Sequence, residues 1–476
     1  MINQPHIIVL LSDQHRGQAM AHLGDPNLRT PAMDRMAAEG ASFATAFANC
    51  PVCVPSRGTM LSGRHAHAGP VQGFNDVWKP AAPGLISELK RAGYRTAFFG
   101  KWHLGVSRDQ LHPDLRRPES QVPRMLRTPE HFRAGFDDWC AYENGGPMFR
   151  PTVYRDGAEL PEVHDGYDAD VLTDLALRYL DEYGREQPLF LVVSVLPPHF
   201  PLVVPERWRR FDPQTLRVAP NFTEAPGMRE ALASYCAMVE DVDWNLGRIR
   251  ERIAALPRFA DRTVTAYLSD HGEFIGSHGR QSRKEHPHEE SVRIPAIFAG
   301  PGVVARGVVP GLFSMIDWAP TVLGLAGLPV PGWMQGQDWS SGLRGLPCAG
   351  PDDVLLEMCG APRHALDFRD WRAIRTADRM YAVYEDGSEQ LYDLAADPWQ
   401  LRDRSADWPE ERARLRALLL RRLAETREPY FDVLIEHGVA SLEPVDVSGR
   451  EDGWQNYPHP GATMQAPGLD RRRSNT

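Results

Sequence analysis

His6-Ile7-Ile8-Val9-Leu10-Leu11-Ser12 is an almost unbroken apolar run that stops at the polar triplet Asp13-Gln14-His15. A run this short, rich in β-branched residues, reads as a strand buried on both faces, as in a parallel sheet covered by helices. Downstream, Thr30-Pro31 opens Ala32-Met33-Asp34-Arg35-Met36-Ala37-Ala38-Glu39-Gly40, a helix with a cap, a first-turn proline and a closing glycine. Ser42 to Ala48 is a second strand.

The alternation recurs: helix Leu85 to Arg91 and strand Thr96 to Phe99, helix Ala169 to Tyr183 and strand Leu189 to Val195, helix Arg229 to Ala255 and strand Val264 to Ser269. It predicts an α/β fold with a large, mainly parallel sheet sandwiched by helices. Ligands in such folds gather beyond the carboxyl ends of the strands, where Asp13, Lys101, His199 and Asp270 stand.

A Gly, Ser and Pro-rich stretch at 336–351 follows a helix around Ile316 to Ala326 and marks a boundary. Beyond it Val354 to Met358, Arg372 to Thr376, Met380 to Glu385 and Gln390 to Leu394 read as short strands, followed by a helix Glu410 to Arg427. The expected division is a catalytic domain at 1–345, a C-terminal α+β subdomain (small antiparallel sheet plus helix) at 346–435, and an irregular tail at 436–476.

The 476-residue chain carries a net charge of -10 without a basic stripe, apart from Arg471-Arg472-Arg473, so nucleic acid is not an expected partner. With no apolar run of membrane-spanning length and no leader pattern at Met1 to Pro5, no membrane partner is expected and the chain reads as cytoplasmic. Six cysteines are too few for a disulfide framework, which suggests a reducing compartment. Cys50-Pro51-Val52-Cys53 has CxxC spacing, open to a redox dithiol or half a zinc site, but no second CxxC or nearby CxxH completes the latter.

In Cys53-Val54-Pro55-Ser56-Arg57-Gly58-Thr59-Met60-Leu61-Ser62-Gly63-Arg64, Pro55 is placed to open a helix ending near Gly63. Cys53 then faces free backbone N–H groups, a setting that lowers a thiol pKa and accepts a tetrahedral anion, and Arg57 adds a cation one turn on. Read alone, such a cysteine is as well explained by packing. The whole string, however, resembles the signature of the type I sulfatases of the alkaline phosphatase superfamily.

The resemblance implies that a formylglycine-generating maturation enzyme oxidises Cys53. The hydrated aldehyde then has one hydroxyl to attack sulfur and a second whose deprotonation expels sulfate from the covalent sulfated intermediate, an exit that a thiol lacks. It further implies one divalent metal, Ca2+ with Mn2+ as the alternative, held by Asp13, Gln14, Cys53, Asp270 and His271. Relatives commonly have a second acid where Gln14 stands, and some have Asn where His271 stands. Gly100-Lys101-Trp102-His103-Leu104-Gly105 resembles a further family segment, implying that Lys101 binds a sulfate oxygen and His103 takes a proton. The pair's i,i+2 spacing points both side chains the same way from an extended chain. By the same resemblance, His199 in Pro197-Pro198-His199-Phe200-Pro201 contacts the leaving oxygen, and His199 or Lys284 protonates the departing alcohol.

Ile316 to Thr321 and Leu391 to Pro398 also look like family landmarks, so the resemblance spans roughly residues 5 to 400 and implies the alkaline-phosphatase-like fold. The expected activity is hydrolysis of a sulfate ester, of a sulfated carbohydrate or an aryl alcohol. The alternatives are a phosphonate monoester or phosphodiester hydrolase of the same superfamily and a non-catalytic binder of sulfated glycans. His65, His67, Asn75, Asp76, Trp139, Glu143, Asn144 and Trp454 are candidates for the pocket lining, and His286 and His288 for surface or specificity positions. Assembly into a homo-oligomer is left open by the sequence.

Overall fold

The structure is a computed structural model that describes residues 4–105, 127–145, 147–158, 160–280, 284–360 and 369–439. Trp454 and the tail beyond 439 lie outside the described residues. In chain order the strands are β1 (His6–Ser12), β2 (Ala41–Phe47), β3 (Arg95–Lys101), β4 (Asp138–Tyr142), β5 (Thr152–Arg155), β6 (Glu162–Val163), β7 (Leu189–Ser194), β8 (Thr263–Ser269), β9 (Arg293–Ile294), β10 (Ala296–Ala299), β11 (Gly307–Ser314), β12 (Asp353–Met358), β13 (Trp371–Thr376), β14 (Arg379–Tyr384) and β15 (Glu389–Asp393). The helices are α1 (Pro31–Glu39), α2 (Cys53–Ser62), α3 (Leu85–Arg91), α4 (Asp168–Glu182), α5 (Met228–Ala255), α6 (Glu289–Val292), α7 (Met315–Leu325), α8 (Ser340–Leu343), α9 (Pro409–Thr426) and α10 (Tyr430–Glu436).

The large sheet runs β11-β2-β10-β8-β1-β7-β3-β4-β5-β6, with β9 beside β2. β8, β1, β7, β3 and β4 are mutually parallel, while β10 enters antiparallel to both β8 and β2. β1 lies near the middle, and its alternate residues feed two cores. Ile7, Val9 and Leu11 pack with residues of α2, α3 and α7, whereas Ile8 and Leu10 pack with α1, α4 and α5. Each such side chain contributes about 1.5–3 kcal/mol on burial. This two-sided burial explains why β1, β7 and β8 read as continuous apolar runs instead of alternating ones.

Helix α2 begins at Cys53 itself, capped by Val52, and not at Pro55 as the sequence suggested. Pro55 sits in the first turn, where a missing N–H costs nothing because the first amides have no intrahelical acceptor. Gly63, with φ +63°, ends the helix in the left-handed conformation that glycine adopts freely.

β12-β13-β14-β15 form a sequential antiparallel sheet. One face, with Val354, Leu356, Met358 and Trp371, packs against Phe47, Cys50, Val52 and Ala66 of the large body. The other, with Leu355, Ile374, Tyr381 and Val383, is covered by Leu415, Leu419 and Leu423 of α9 and Leu434 of α10. Among the described residues no helix is long and apolar enough to cross a membrane.

Candidate active site

Strand register builds the site. Ser12 pairs with Ser269, so the next residues, Asp13 and Asp270, leave neighbouring strands at the same level. Leu11 and Gly100 both pair with Ser194, which brings Lys101, the last residue of β3, to the same edge. Gly100 has φ +100°, and a Cβ there would run into the Ser194 carbonyl, so glycine is required for β3 to approach β7. Helix α2 then carries Cys53 and Arg57 across these strand ends.

Arg57 is the cross-brace. Its Nε donates to Asp270 Oδ2 at 2.9 Å, Nη2 to Asp13 Oδ2 at 3.2 Å, and Nη1 to the Lys101 carbonyl at 2.6 Å and the Ser194 hydroxyl at 2.9 Å. Ser56 also donates to the Asp270 carbonyl. The Lys101 ammonium lies 2.6 Å from Asp13 Oδ2 and 3.9 Å from Cys53 Sγ. On another side, Lys284 Nζ is 3.3 Å from Sγ, 3.3 Å from His199 Nε2 and 2.9 Å from the Gln14 amide oxygen.

The cations decide the charge state of the cysteine. Burial and the Asp13 carboxylate push the Cys53 thiol up, but Lys101 and Lys284 outweigh them and it settles below its ordinary value. Burial likewise raises Asp13, and Lys101, His199 and Arg57 reverse this to hold it well below the usual carboxylate range. His103 and His199 are kept neutral chiefly by burial, reinforced by Lys101 and Arg57 for the first and by Lys284 for the second.

Ligand atoms of Asp13, Cys53, Asp270 and His271 all lie within 4.8 Å of one another, and all four residues are buried. His271 Nδ1 is 3.0 Å from the Gly272 carbonyl, which leaves the Nε2 lone pair facing Sγ at 3.0 Å and the Asp270 and Asp13 carboxylates at 3.6 and 3.7 Å. Two carboxylates and an imidazole held in this tautomer suit a divalent cation. Gln14, left-handed at φ +71°, donates its backbone N–H to Asp270 Oδ1 at 3.1 Å, and its side-chain amide donates to Glu273.

The structure thus gathers Asp13, Gln14, Cys53, Arg57, Lys101, His199, Asp270, His271 and Lys284 around one point. His103 reaches this region by a different route from the extended-chain reading. Its φ of +62° turns it out of the strand direction, its ring meets Phe74 edge-on at 5.6 Å, and Nδ1 is buried without a hydrogen bond. Several proposed pocket residues belong elsewhere. Trp139 is core, His65 and His67 join Glu357 in a separate cluster, and His286 and His288 are buried against Phe274 rather than on the surface. Sequence reading missed Ser194, Ser56 and Glu273. Ser194 carried a weak signal as the polar residue closing an apolar strand.

A covered, mainly parallel sheet bearing a cysteine, two aspartates and a cluster of cations at its carboxyl edge defines a hydrolase of the alkaline phosphatase superfamily. The comparisons specify which. The sulfatase family profile matches residues 5–328, and a profile for the C-terminal part of N-sulphoglucosamine sulphohydrolase matches residues 276–429. An ulvan-active sulfatase of Formosa agariphila is 31% identical over 408 residues, 83% of this chain and 76% of that protein. A Bacteroides thetaiotaomicron structure described under the metabolism of multiple glycosaminoglycans superposes with TM-score 0.82 at 26% identity, covering 91% of this chain and 99% of the other. The phosphonate monoester hydrolase of Agrobacterium radiobacter, at 23% identity and TM-score 0.67 over 91% and 96% of the two chains, shares the fold. The chain belongs to the sulfatase family and is a sulfuric ester hydrolase.

Proposed function

We propose that this enzyme hydrolyses the sulfate ester of a sulfated saccharide, using formylglycine formed at Cys53 and a divalent ion, calcium or manganese, held by Asp13, Gln14, Cys53, Asp270 and His271. The observation that carries this reading is the ring of Lys101, Lys284 and His271 at 3.9, 3.3 and 3.0 Å around Cys53 Sγ. The tetrahedral, monoanionic sulfate group of an ester entering there meets two ammonium groups already in place, which stabilise the charge that builds up on sulfate without reorganisation. Ulvan and glycosaminoglycans, named for the two relatives, support the saccharide class.

Oxidised to the aldehyde hydrate, the Cys53 side chain supplies one hydroxyl for attack on sulfur and a second for releasing sulfate from the resulting covalent ester. A bound divalent ion supplies Lewis-acid polarisation of the sulfate oxygens. Arg57 keeps Asp13 and Asp270 oriented, and Lys101 and Lys284 bind sulfate oxygens. His103, neutral and with a free ring nitrogen, accepts the proton from the second hydroxyl. His199 has Nδ1 at 2.6 Å from the Phe200 carbonyl, so its Nε2 accepts from Lys284, and the departing alcohol takes its proton from this pair.

Steady-state rates on an aryl sulfate, an aryl phosphonate and a phosphodiester test the reading. A clear preference for either phosphorus ester would overturn it. Peptide mass spectrometry on protein from its native host is expected to find formylglycine at position 53, and only intact cysteine without turnover would favour a binding role.

A further inference from the structure

Among the described residues one other group of metal-capable side chains is brought together, at a junction that the catalytic reading does not use. His65 and His67 follow the glycine that ends α2, Glu357 lies in β12 of the small sheet, and Glu428 follows α9. His65, Glu357 and Glu428 are 5%, 0% and 4% exposed, and the His67 side chain is 4% exposed. Three segments distant in sequence therefore place ligand atoms of His67, Glu357 and Glu428 within 4.8 Å of one another in one dry space, with His65 Nδ1 beside them at 3.8 Å from Glu357 Oε1.

Each group is oriented from behind. Glu357 Oε1 accepts from the Ala66 amide at 2.7 Å and turns Oε2 to within 2.7 Å of His67 Nδ1. Glu428 Oε1 accepts from Arg372 at 2.7 Å and from the Tyr430 amide at 3.2 Å, and turns Oε2 to within 2.5 Å of the same Nδ1. His67 Nε2 is 3.3 Å from the Thr426 carbonyl, so Nδ1 faces both carboxylates. Against burial, their charge pushes the imidazole up to about 10 and keeps it protonated when no metal is bound. Two carboxylate oxygens converging on one imidazole nitrogen need a positive charge among them, which a proton on Nδ1 or a metal ion in its place supplies. His65 Nδ1, 3.8 Å from Glu357 Oε1, makes no hydrogen bond. Buried polar atoms are seldom left so.

We propose that His65, His67, Glu357 and Glu428 form a second metal site, separate from the active centre, for a borderline divalent transition ion such as zinc. Two imidazole nitrogens and two carboxylate oxygens are a tetrahedral zinc donor set, with no position left for substrate, so the role is structural. The ion ties the segment after α2 to the small sheet and to the end of α9. The competing arrangement is an imidazolium at His67 shared between the two carboxylates, which needs no ion.

The test uses the full-length chain with Cys53→Ala, Asp13→Asn and Asp270→Asn, so that the active centre does not compete, stripped with a chelator and titrated with zinc chloride alone. The expected result is one zinc per chain by elemental mass spectrometry, with a rise in melting temperature, and an affinity at least about tenfold weaker once His65→Ala and His67→Ala are added. No zinc bound, or unchanged binding in the doubly substituted chain, overturns the proposal. Should the altered background fail to fold, zinc is counted on the otherwise unaltered chain with and without His67→Gln. A loss of one equivalent supports the site, and no loss overturns it.

Discussion

Arg57 engages two carboxylates, a carbonyl and a hydroxyl with three nitrogens, a geometry open to a planar guanidinium and closed to a compact ammonium. Arg57→Lys is therefore expected to cost about 3 kcal/mol of stability, since it leaves buried carboxylates unpaired. It should also lower kcat/KM by on the order of a hundredfold through misplacement of Asp13 and Asp270. Thermal melts and steady-state kinetics on an aryl sulfate check both, and a variant with near-parental kcat/KM would remove Arg57 from the positioning role. Cys50, the CxxC neighbour of Cys53, packs instead with the small sheet and Cys359. Cys50→Ser should keep most of the activity, whereas a thiol redox mechanism requires its loss. The site was legible in the sequence where a polar residue closed an apolar strand or stood inside a long motif, as Asp13, Cys53, Lys101 and Asp270 do. Ser194, although it closes an apolar strand, and Ser56, although it stands inside the motif, showed no role there, because a serine acquires its role only from the partner that folding places opposite it. The left-handed turn at His103 was equally hidden, since the segment carries no glycine at that position.

At the scale of elements, Asp168 at the start of α4 joins two site-bearing loops. Its carboxylate accepts from the Leu196 amide at 2.8 Å and from the Tyr142 hydroxyl at 2.7 Å. Leu196 in turn accepts from the His199 amide at 3.0 Å, and Tyr142 pairs with Lys101. Asp168→Asn is expected to slow turnover by on the order of tenfold, and more for an alkyl sulfate than for a nitrophenyl sulfate, whose alcohol leaves without protonation. Equal losses on the two substrates would reduce Asp168 to a packing residue. Asp243 on α5 accepts from the Ala32 and Met33 amides at the start of α1, yet burial prevails and its carboxyl is pushed up to about 7. The unfolded chain releases that proton near pH 4, so the group's contribution to stability is full below about pH 4 and is lost as pH rises through about 7. Melting curves at about pH 5 and pH 8 should show Asp243→Asn gaining on the parent as pH rises. A constant gap would contradict this. Strands β1, β7 and β8 were legible because two-sided burial leaves an unbroken apolar run. β11 was not, since Pro310 and Gly311 interrupt it where its register against β2 shifts between Val309 and Leu312, as an edge strand tolerates. The antiparallel entry of β10 has no sequence signal, because a strand's direction is set by its connections.

For the whole molecule, the two sheets share a core. Phe47, Cys50, Val52, Ala66, Val292 and Leu312 of the body are buried together with Val354, Leu356 and Trp371. A chain ended at residue 345 is expected to aggregate, because that apolar face would be exposed, and size-exclusion chromatography of the truncated protein checks it. A soluble monomer would mean that the body closes by itself. The composition break that marks 336–351 reflects a change of sheet and carries no information about which faces meet. That shared core also sets an order of events in the life of the chain. Every residue of α2 is buried, and Cys53 is 1% exposed. A modifying enzyme that recognised an extended peptide would find none to grasp once this helix is buried in the folded chain. The oxidation of Cys53 proposed above would then have to come while the polypeptide is still being made or has yet to fold, and a molecule that folds first would keep its thiol.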